Sequence, residues 1–369
     1  MIRPRLTALA ESLPATVPFV GPETQERQRG RPFRARIGAN ENGFGASPQV
    51  AIAMANAAAD MWKYCDPENF ELRRLVAVHH GVAPENVILG EGIDGLLGLV
   101  VRLFVEAGQP VVTSLGAYPT FNYHVAGFGG RLVTAPYRDD REDIEALLDA
   151  AKRENAPLVY LANPDNPMGT WWEGGEIQRF IEALPETTLL VLDEAYTEMA
   201  PDSSRPPLDV MRPNVLRMRT FSKAYGLAGM RCGYAIGEAE TIRAFDKVRN
   251  HFGMSRMSQV AAAAAIGDQD WLSDVLGRIA DGRRRIGEIA AANGLGALPS
   301  ATNFVTIDCG ADGAYAMKVM QSLIARDVFV RKPMAPVLDR CIRVSCGPEP
   351  ELAIFAEELP GALAAARGN

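Results

Sequence analysis

Thr220-Phe221-Ser222-Lys223-Ala224-Tyr225-Gly226-Leu227-Ala228-Gly229-Met230-Arg231 is the stretch on which the reading of this chain turns. It gathers one amine, two hydroxyls and one guanidinium around a glycine-containing turn. A lysine in such a setting can form a Schiff base with a carbonyl cofactor, while hydroxyls and an arginine can hold a phosphate. That combination points to pyridoxal 5'-phosphate (PLP). The stretch also lies between two β-rich runs, Val215 to Thr220 and Gly233 to Gly237.

Working outward, further β-rich runs occur at Val87 to Leu89, Pro110 to Leu115, Arg131 to Ala135, Leu158 to Ala162 and Leu189 to Leu192. Helical patterns lie among them, at Leu96 to Phe104, Arg141 to Asn155 and Glu176 to Leu184. Such alternation predicts an α/β unit with a mainly parallel sheet between helices. In these sheets ligands sit at loops beyond the strand carboxyl ends. From about residue 246 the pattern changes to long helices, then a strand at Asn303 to Asp308, a helix at Tyr315 to Arg326, strands at Val328 to Arg331 and Ile342 to Cys346, and a last helix. We therefore expect a large domain over 46–245, a small α+β domain over 246–369, and an N-terminal arm over 1–45 that joins the small domain. Arg27, Arg29, Arg31, Arg34 and Arg36 crowd this arm. They read as a solvated face, or as an arm that wraps a partner subunit or borders an anionic substrate.

The loops carry the chemistry. Gly90-Glu91-Gly92-Ile93-Asp94 leads from a strand into a helix. Its glycines let backbone N–H groups approach a phosphate at a helix N-terminus, or else form a tight turn with Asp94 as helix N-cap. Tyr118 follows the run ending at Leu115 and can lie flat on a cofactor ring or simply pack in the core. Asn163-Pro164-Asp165-Asn166-Pro167-Met168-Gly169-Thr170 makes a rigid turn, which is either turn chemistry alone or a means of fixing Asn166 so that it can hydrogen-bond a phenolic oxygen. Leu189 to Leu192 ends in Asp193, and a carboxylate at the end of a buried strand needs a partner. A protonated pyridine nitrogen is one, and Tyr196 can donate to the phenolic oxygen. Arg331 and Arg343 sit inside strand patterns, suited to bidentate capture of a carboxylate or phosphate, or facing water at an edge.

Composition narrows the classes. The chain has 369 residues, 47% hydrophobic and 22% charged, which suits a globular protein with a large core. A net charge of -7 argues against a general nucleic-acid role. There is no long uninterrupted apolar run, so no membrane span is expected, and the opening Met1 to Leu6 lacks a signal-peptide core. Five scattered cysteines read as reduced thiols of a cytoplasmic protein. The histidines lack metal-ligand spacing, and the adjacent His79-His80 read as helix surface.

Taken together, these motifs resemble the fold-type I PLP-dependent aminotransferases of class I/II, most closely the histidinol-phosphate aminotransferase branch. The resemblance runs from about Ile37 to Pro350. It rests on Asn40-Glu41-Asn42, Tyr64-Cys65-Asp66-Pro67, Gly90 to Asp94, Asn163 to Gly169, Asp193-Glu194-Ala195-Tyr196, Ser222-Lys223 with Arg231, and Arg343. It implies an aspartate aminotransferase-like fold and a role for each matching residue. Lys223 is the Schiff-base lysine, Asp193 the partner of the pyridine nitrogen, and Asn166 and Tyr196 the partners of the phenolic oxygen. Tyr118 stacks on the ring. Gly92, Ile93, Asp94, Thr220, Ser222 and Arg231 surround the cofactor phosphate, and Tyr64 reaches it across a homodimer interface. Asn42, Arg331 and Arg343 face the substrate. The substrates implied are a small amino donor and a 2-oxo acid acceptor. The chain departs from the pattern at Gly95, Gly43 and Trp171-Trp172, all of which bear on the substrate.

The same cofactor residues also serve PLP-dependent decarboxylases of phosphorylated amino acids and amino-acid racemases, which differ in the bond broken at the α-carbon. A non-catalytic effector-binding domain of a transcription regulator is the remaining reading. It requires an attached DNA-binding domain, and the first forty residues are too short and too proline-rich for a helix-turn-helix.

Overall fold

Seven strands assemble into one sheet, buried except at its edge strand β3: β1 (Val87–Gly90), β2 (Pro110–Ser114), β3 (Arg131–Ala135), β4 (Leu158–Ala162), β5 (Leu189–Asp193), β6 (Val215–Thr220) and β7 (Gly233–Ile236). The computed structural model describes residues 4–15 and 20–368. The first three residues of the Met1 to Leu6 segment lie outside it, as do residues 16–19 of the arm. Across the sheet the order is β1-β7-β6-β5-β4-β2-β3. Only β7 runs antiparallel to its neighbours, so the sheet is mainly parallel, as expected.

Both faces are covered, which is why β4 and β5 read as unbroken apolar runs. Alternate residues choose opposite cores. Leu158, Tyr160, Val191 and Leu216 pack with Leu96, Leu97 and Val100 of helix Gly92–Phe104. Val159, Leu161, Leu190 and Leu192 pack with residues of helices Ile144–Glu154 and Gly174–Ala183.

A second, antiparallel sheet joins Gly296–Ala297, Phe304–Asp308 and Cys341–Ser345. Helices Gly313–Ala325 and Glu349–Arg367 pack together beside it. Helix Arg256–Gly267 instead lies on Pro48–Ala57 and Phe70–His80. The arm contributes a short strand of its own: Ala35–Arg36 pairs in parallel with Val328–Phe329.

Several local expectations are corrected. Arg27 is exposed, as a solvated face would have it, but the other four arginines of that cluster are paired with acids. Arg29 and Arg31 pair with Asp327, Arg34 with Glu357 and Glu358, and Arg36 with Glu23. Each pair is partly exposed and contributes little energy, but together they fix where the arm runs. The helix expected from Arg141 starts at Ile144, because the Asp143 carboxylate accepts the N–H groups of Glu145 and Ala146 as an N-cap. Arg141–Glu142 pairs instead with Tyr137–Arg138. Asp94 is not an N-cap: helix Gly92–Phe104 begins two residues earlier, with Glu91 at the cap position. His79 is exposed, as expected, but His80 is half-buried. Its Nε2 lies 2.9 Å from the Tyr234 hydroxyl, and burial pushes the imidazole pKa down to about 3. Among the described residues, no helix is long and apolar enough to cross a membrane, and no cluster of three or more His, Cys, Asp or Glu side chains is placed to hold a metal.

Candidate active site

The carboxyl ends of β4, β5 and β6, the start of β7 and the N-terminus of helix Gly92–Phe104 converge on one cavity. Parallel register makes this possible. Ala162 pairs with Asp193 and Tyr160 with Val191, so Asp193 and Tyr160 are diagonal neighbours on one face, within reach of a long side chain. The Tyr160 hydroxyl donates to Asp193 Oδ2 at 2.7 Å, and the Ala195 N–H donates to Oδ1 at 2.9 Å. Asp193 is buried, and its pKa is pushed up to about 6, chiefly by that burial, against the lowering effect of these two donors and of Lys223.

Lys223 is the only one of the chain's six lysines that lines the cavity. Its Nζ donates to the Asn40 carbonyl at 3.2 Å and lies 5.5 Å from the centre of the Tyr196 ring. Asn40 is itself held: Nδ2 donates to the Tyr196 hydroxyl at 3.1 Å, and Asn303 Nδ2 donates to the same Asn40 carbonyl at 3.0 Å. The loop after Lys223 turns at Gly226, whose φ is +70°. A Cβ there would stand 2.5 Å from the Gly45 carbonyl oxygen, so only glycine fits.

One end of the cavity is rich in hydrogen-bond donors. Glu91 makes no side-chain cap, which leaves the first N–H groups of helix Gly92–Phe104 open. Gly92 has φ +75°, and a Cβ on it would lie 2.8 Å from Arg231 Nη2. The Ser222 N–H donates to Thr220 Oγ1, and the Thr220 hydroxyl donates to Ser222 Oγ, so the Ser222 hydroxyl hydrogen is free for another acceptor. Arg231 Nη2 lies 3.6 Å from Asp94, and the Tyr118 hydroxyl donates to Asp94 Oδ1 at 2.7 Å. Burial, with the nearby Asp94 charge, raises the Tyr118 pKa, so its phenol stays protonated.

Ile93, Asp94, Tyr118, Asn166 and Asp193 thus meet Tyr196, Thr220, Ser222, Lys223 and Arg231 around the same space. The other candidate residues do not line it. Arg343 turns inward from Cys341–Ser345 and donates through Nη1 to Asn166 Oδ1 at 2.5 Å, so it is not an edge residue facing water. Its Nε is buried with no partner among the described residues, and burial pushes its pKa down to about 10. Arg331 stands opposite Arg343 across an antiparallel bridge and donates to the Val20 carbonyl at 3.1 Å. Both polar ends of the Asn42 side chain are taken by backbone, with Nδ2 donating to Ala224 O and Oδ1 accepting from the Phe44 N–H. Asn42 therefore braces the Lys223 loop. Tyr64 is 82% exposed and stacks loosely on Phe252.

Tyr160 and Asn303 escaped the sequence reading, and Asn40 entered it only as part of a motif, without a role. Tyr160 is indistinguishable from a core aromatic until the β4–β5 register is known. Asn40 and Asn303 act on Lys223 from segments far apart in the chain, a juxtaposition that only the closed fold creates.

The family model for aminotransferase class I and II matches residues 36–359. A histidinol-phosphate aminotransferase of Anaeromyxobacter sp. is 36% identical over 340 residues, covering 91% of this chain and 93% of the relative. Histidinol-phosphate aminotransferase 2 of Carboxydothermus hydrogenoformans is 34% identical over 353 residues, covering 95% and 96%. Among solved structures, histidinol-phosphate aminotransferase from Sinorhizobium meliloti, in complex with pyridoxal-5'-phosphate, superimposes with a TM-score of 0.96 at 58% identity, covering 98% of both chains.

Proposed function

The chain belongs to the class I and II aminotransferases, and on that premise we propose that it takes an amino group from a phosphorylated amino alcohol of the histidinol phosphate kind and passes it to a 2-oxo acid. The observation that carries the reaction type is the meeting of one lysine amine and one buried strand-end carboxylate in a single cavity. The named relatives are all aminotransferases, which favours this reaction over decarboxylation or racemisation.

The residues fit PLP. The uncapped helix N-terminus, the free Ser222 hydroxyl hydrogen and Arg231 are donors suited to its phosphate. Each Asp193 oxygen has one donor already and keeps a lone pair for a ring N–H. When bound, the cofactor supplies a conjugated cationic ring that accepts the electron pair released at the substrate α-carbon. The rest is the protein's work. The Lys223 amine would attach the cofactor, and when free its Nζ would take up the α-proton and return it. Asp193, ionised, keeps the ring nitrogen protonated. Asn166 and Tyr196, which line the cavity, would bond the phenolic oxygen, and Tyr118 would cover the ring. Gly92, Ile93 and Asp94 offer backbone N–H groups, while the Asp94 carboxylate orients Arg231 and Tyr118 rather than meeting an anion.

The substrate assignment rests on Arg331 and Arg343. Residues opposed across a bridge place their side chains on one face, where two like charges are unfavourable without an anion between them. A dianionic phosphate suits such a pair better than a single carboxylate. We extend the reading to the assembly, with Tyr64 completing the phosphate site of a second subunit and residues 46–245 forming the cofactor domain against the arm and residues 246–369. Its exposure supports this role, as does the exposure of Trp62, Phe70 and Phe252 nearby in sequence or space. All five cysteines are free, which supports a reducing, cytoplasmic setting.

The substrate reading is tested by mixing the PLP-loaded enzyme with single donors and no acceptor. L-histidinol phosphate should convert the lysine-bound cofactor to its amine form far faster than histidinol, glutamate or phenylalanine. Equal conversion by histidinol and its phosphate would overturn the phosphate assignment.

A further inference from the structure

Tyr160 is a fully buried titratable group beside the cavity for which the roles above have no use. Its ring stacks on Phe121, with centroids 4.7 Å apart and planes 19° from parallel. Phenylalanine would fill that space equally well. A hydroxyl in a core costs stability unless it is bonded, and among the described residues this one has a single partner, Asp193 Oδ2 at 2.7 Å. Burial and the Asp193 charge raise the phenol pKa, so the proton stays on Tyr160 and the bond stays donated to the carboxylate.

The surroundings explain why such a donor matters. Burial and Asp94 disfavour the ionised form of Asp193, while Lys223, the Ala195 N–H and Tyr160 favour it. Tyr118 and Glu142 act on Tyr160 in turn. With one donor on each oxygen, one from the middle of β4 and one from the loop after β5, the carboxylate cannot rotate freely.

We propose that Tyr160 is a positioning residue, which fixes the orientation of the Asp193 carboxylate and holds it ionised for the ring nitrogen of the bound cofactor. This rests on the reading of Asp193 as the partner of that nitrogen. A hydrogen bond to the charged form lowers a carboxyl pKa. Without it, Asp193 ionises only at higher pH, and cofactor affinity, which needs the ionised form, is lost at a higher pH as well.

The test is the PLP dissociation constant of cofactor-stripped protein, measured from pH 5 to 8, with thermal melting of each stripped form as the folding control. The parent should lose affinity as pH falls through about 6, where Asp193 takes up a proton. Tyr160→Phe, which keeps the stacked ring, should move that midpoint up by roughly one pH unit. 3-Fluorotyrosine at position 160, a stronger donor of the same shape, should move it down, and this arm stands even if Tyr160→Phe folds poorly. Phe121→Leu disturbs the stack but keeps the hydroxyl, and should leave the midpoint in place. An unmoved midpoint in both Tyr160 variants, or an equal shift in Phe121→Leu, would overturn the proposal. Asp193→Asn separates the two layers. It should abolish the midpoint, and if it instead preserves both affinity and midpoint, the Asp193 reading itself fails.

Discussion

At the scale of single residues, the site depends on backbone positions that other side chains cannot occupy. Gly92 combines a left-handed φ with close approach to Arg231. Gly92→Ala should cost on the order of 1–2 kcal/mol of strain at that turn, which corresponds to roughly tenfold weaker PLP binding. Titration with PLP checks this, and unchanged affinity would show that the turn does not shape the phosphate end. The residues that make the chemistry recognisable, Lys223, Asp193 and Asn166, were legible because each sits at a strand end within a distinctive local run. Tyr160 and Asn40 were not. Their roles come from a diagonal across β4 and β5 and from a contact between residues 183 positions apart.

At the scale of elements, the centre of the sheet was readable because β4 and β5, buried on both faces, are apolar along nearly their whole length. The boundaries that were misjudged all turn on a single side chain or its absence. Asp143 halts a helix that periodicity carries back to Arg141, and uncapped Glu91 permits one to begin at Gly92. The pairing of Ala35–Arg36 was hidden because two residues carry no period. Beneath the site, β5 and β6 are tied by a buried ion pair. Arg217 Nη2 meets Glu194 Oε1 at 2.5 Å, and Arg219 Nε meets Oε2 at 3.0 Å. Burial alone would raise the Glu194 pKa, yet the two arginines outweigh it and hold the carboxyl at about 2. Because the folded value lies below the unfolded one, this pair stabilises the fold above about pH 4.5 and loses that contribution as pH falls toward 2. Arg217→Met leaves the acid with Arg219 alone and should cost about 3–5 kcal/mol at neutral pH, read by denaturant unfolding. A loss under about 1 kcal/mol would mean that Arg219 alone satisfies Glu194.

At the scale of the whole molecule, several exposed aromatic side chains lie near Tyr64 in sequence or space. Trp62 and Tyr64 are each more than four-fifths exposed, and Phe70 and Phe252 more than half. If a second copy covers them and borrows Tyr64, sedimentation should show a dimer. Trp62→Asp should then shift the chain toward monomer and weaken PLP binding in parallel. A monomer with undiminished PLP affinity would contradict the shared site. All of this serves one claim, that Lys223 is the amine through which this aminotransferase holds its cofactor. The most direct measurement is borohydride reduction of the PLP-loaded protein, followed by digestion and mass spectrometry. The account predicts a pyridoxyl mark on Lys223 alone among the six lysines. A mark on another lysine, or none on Lys223 in protein that still transaminates, would contradict it.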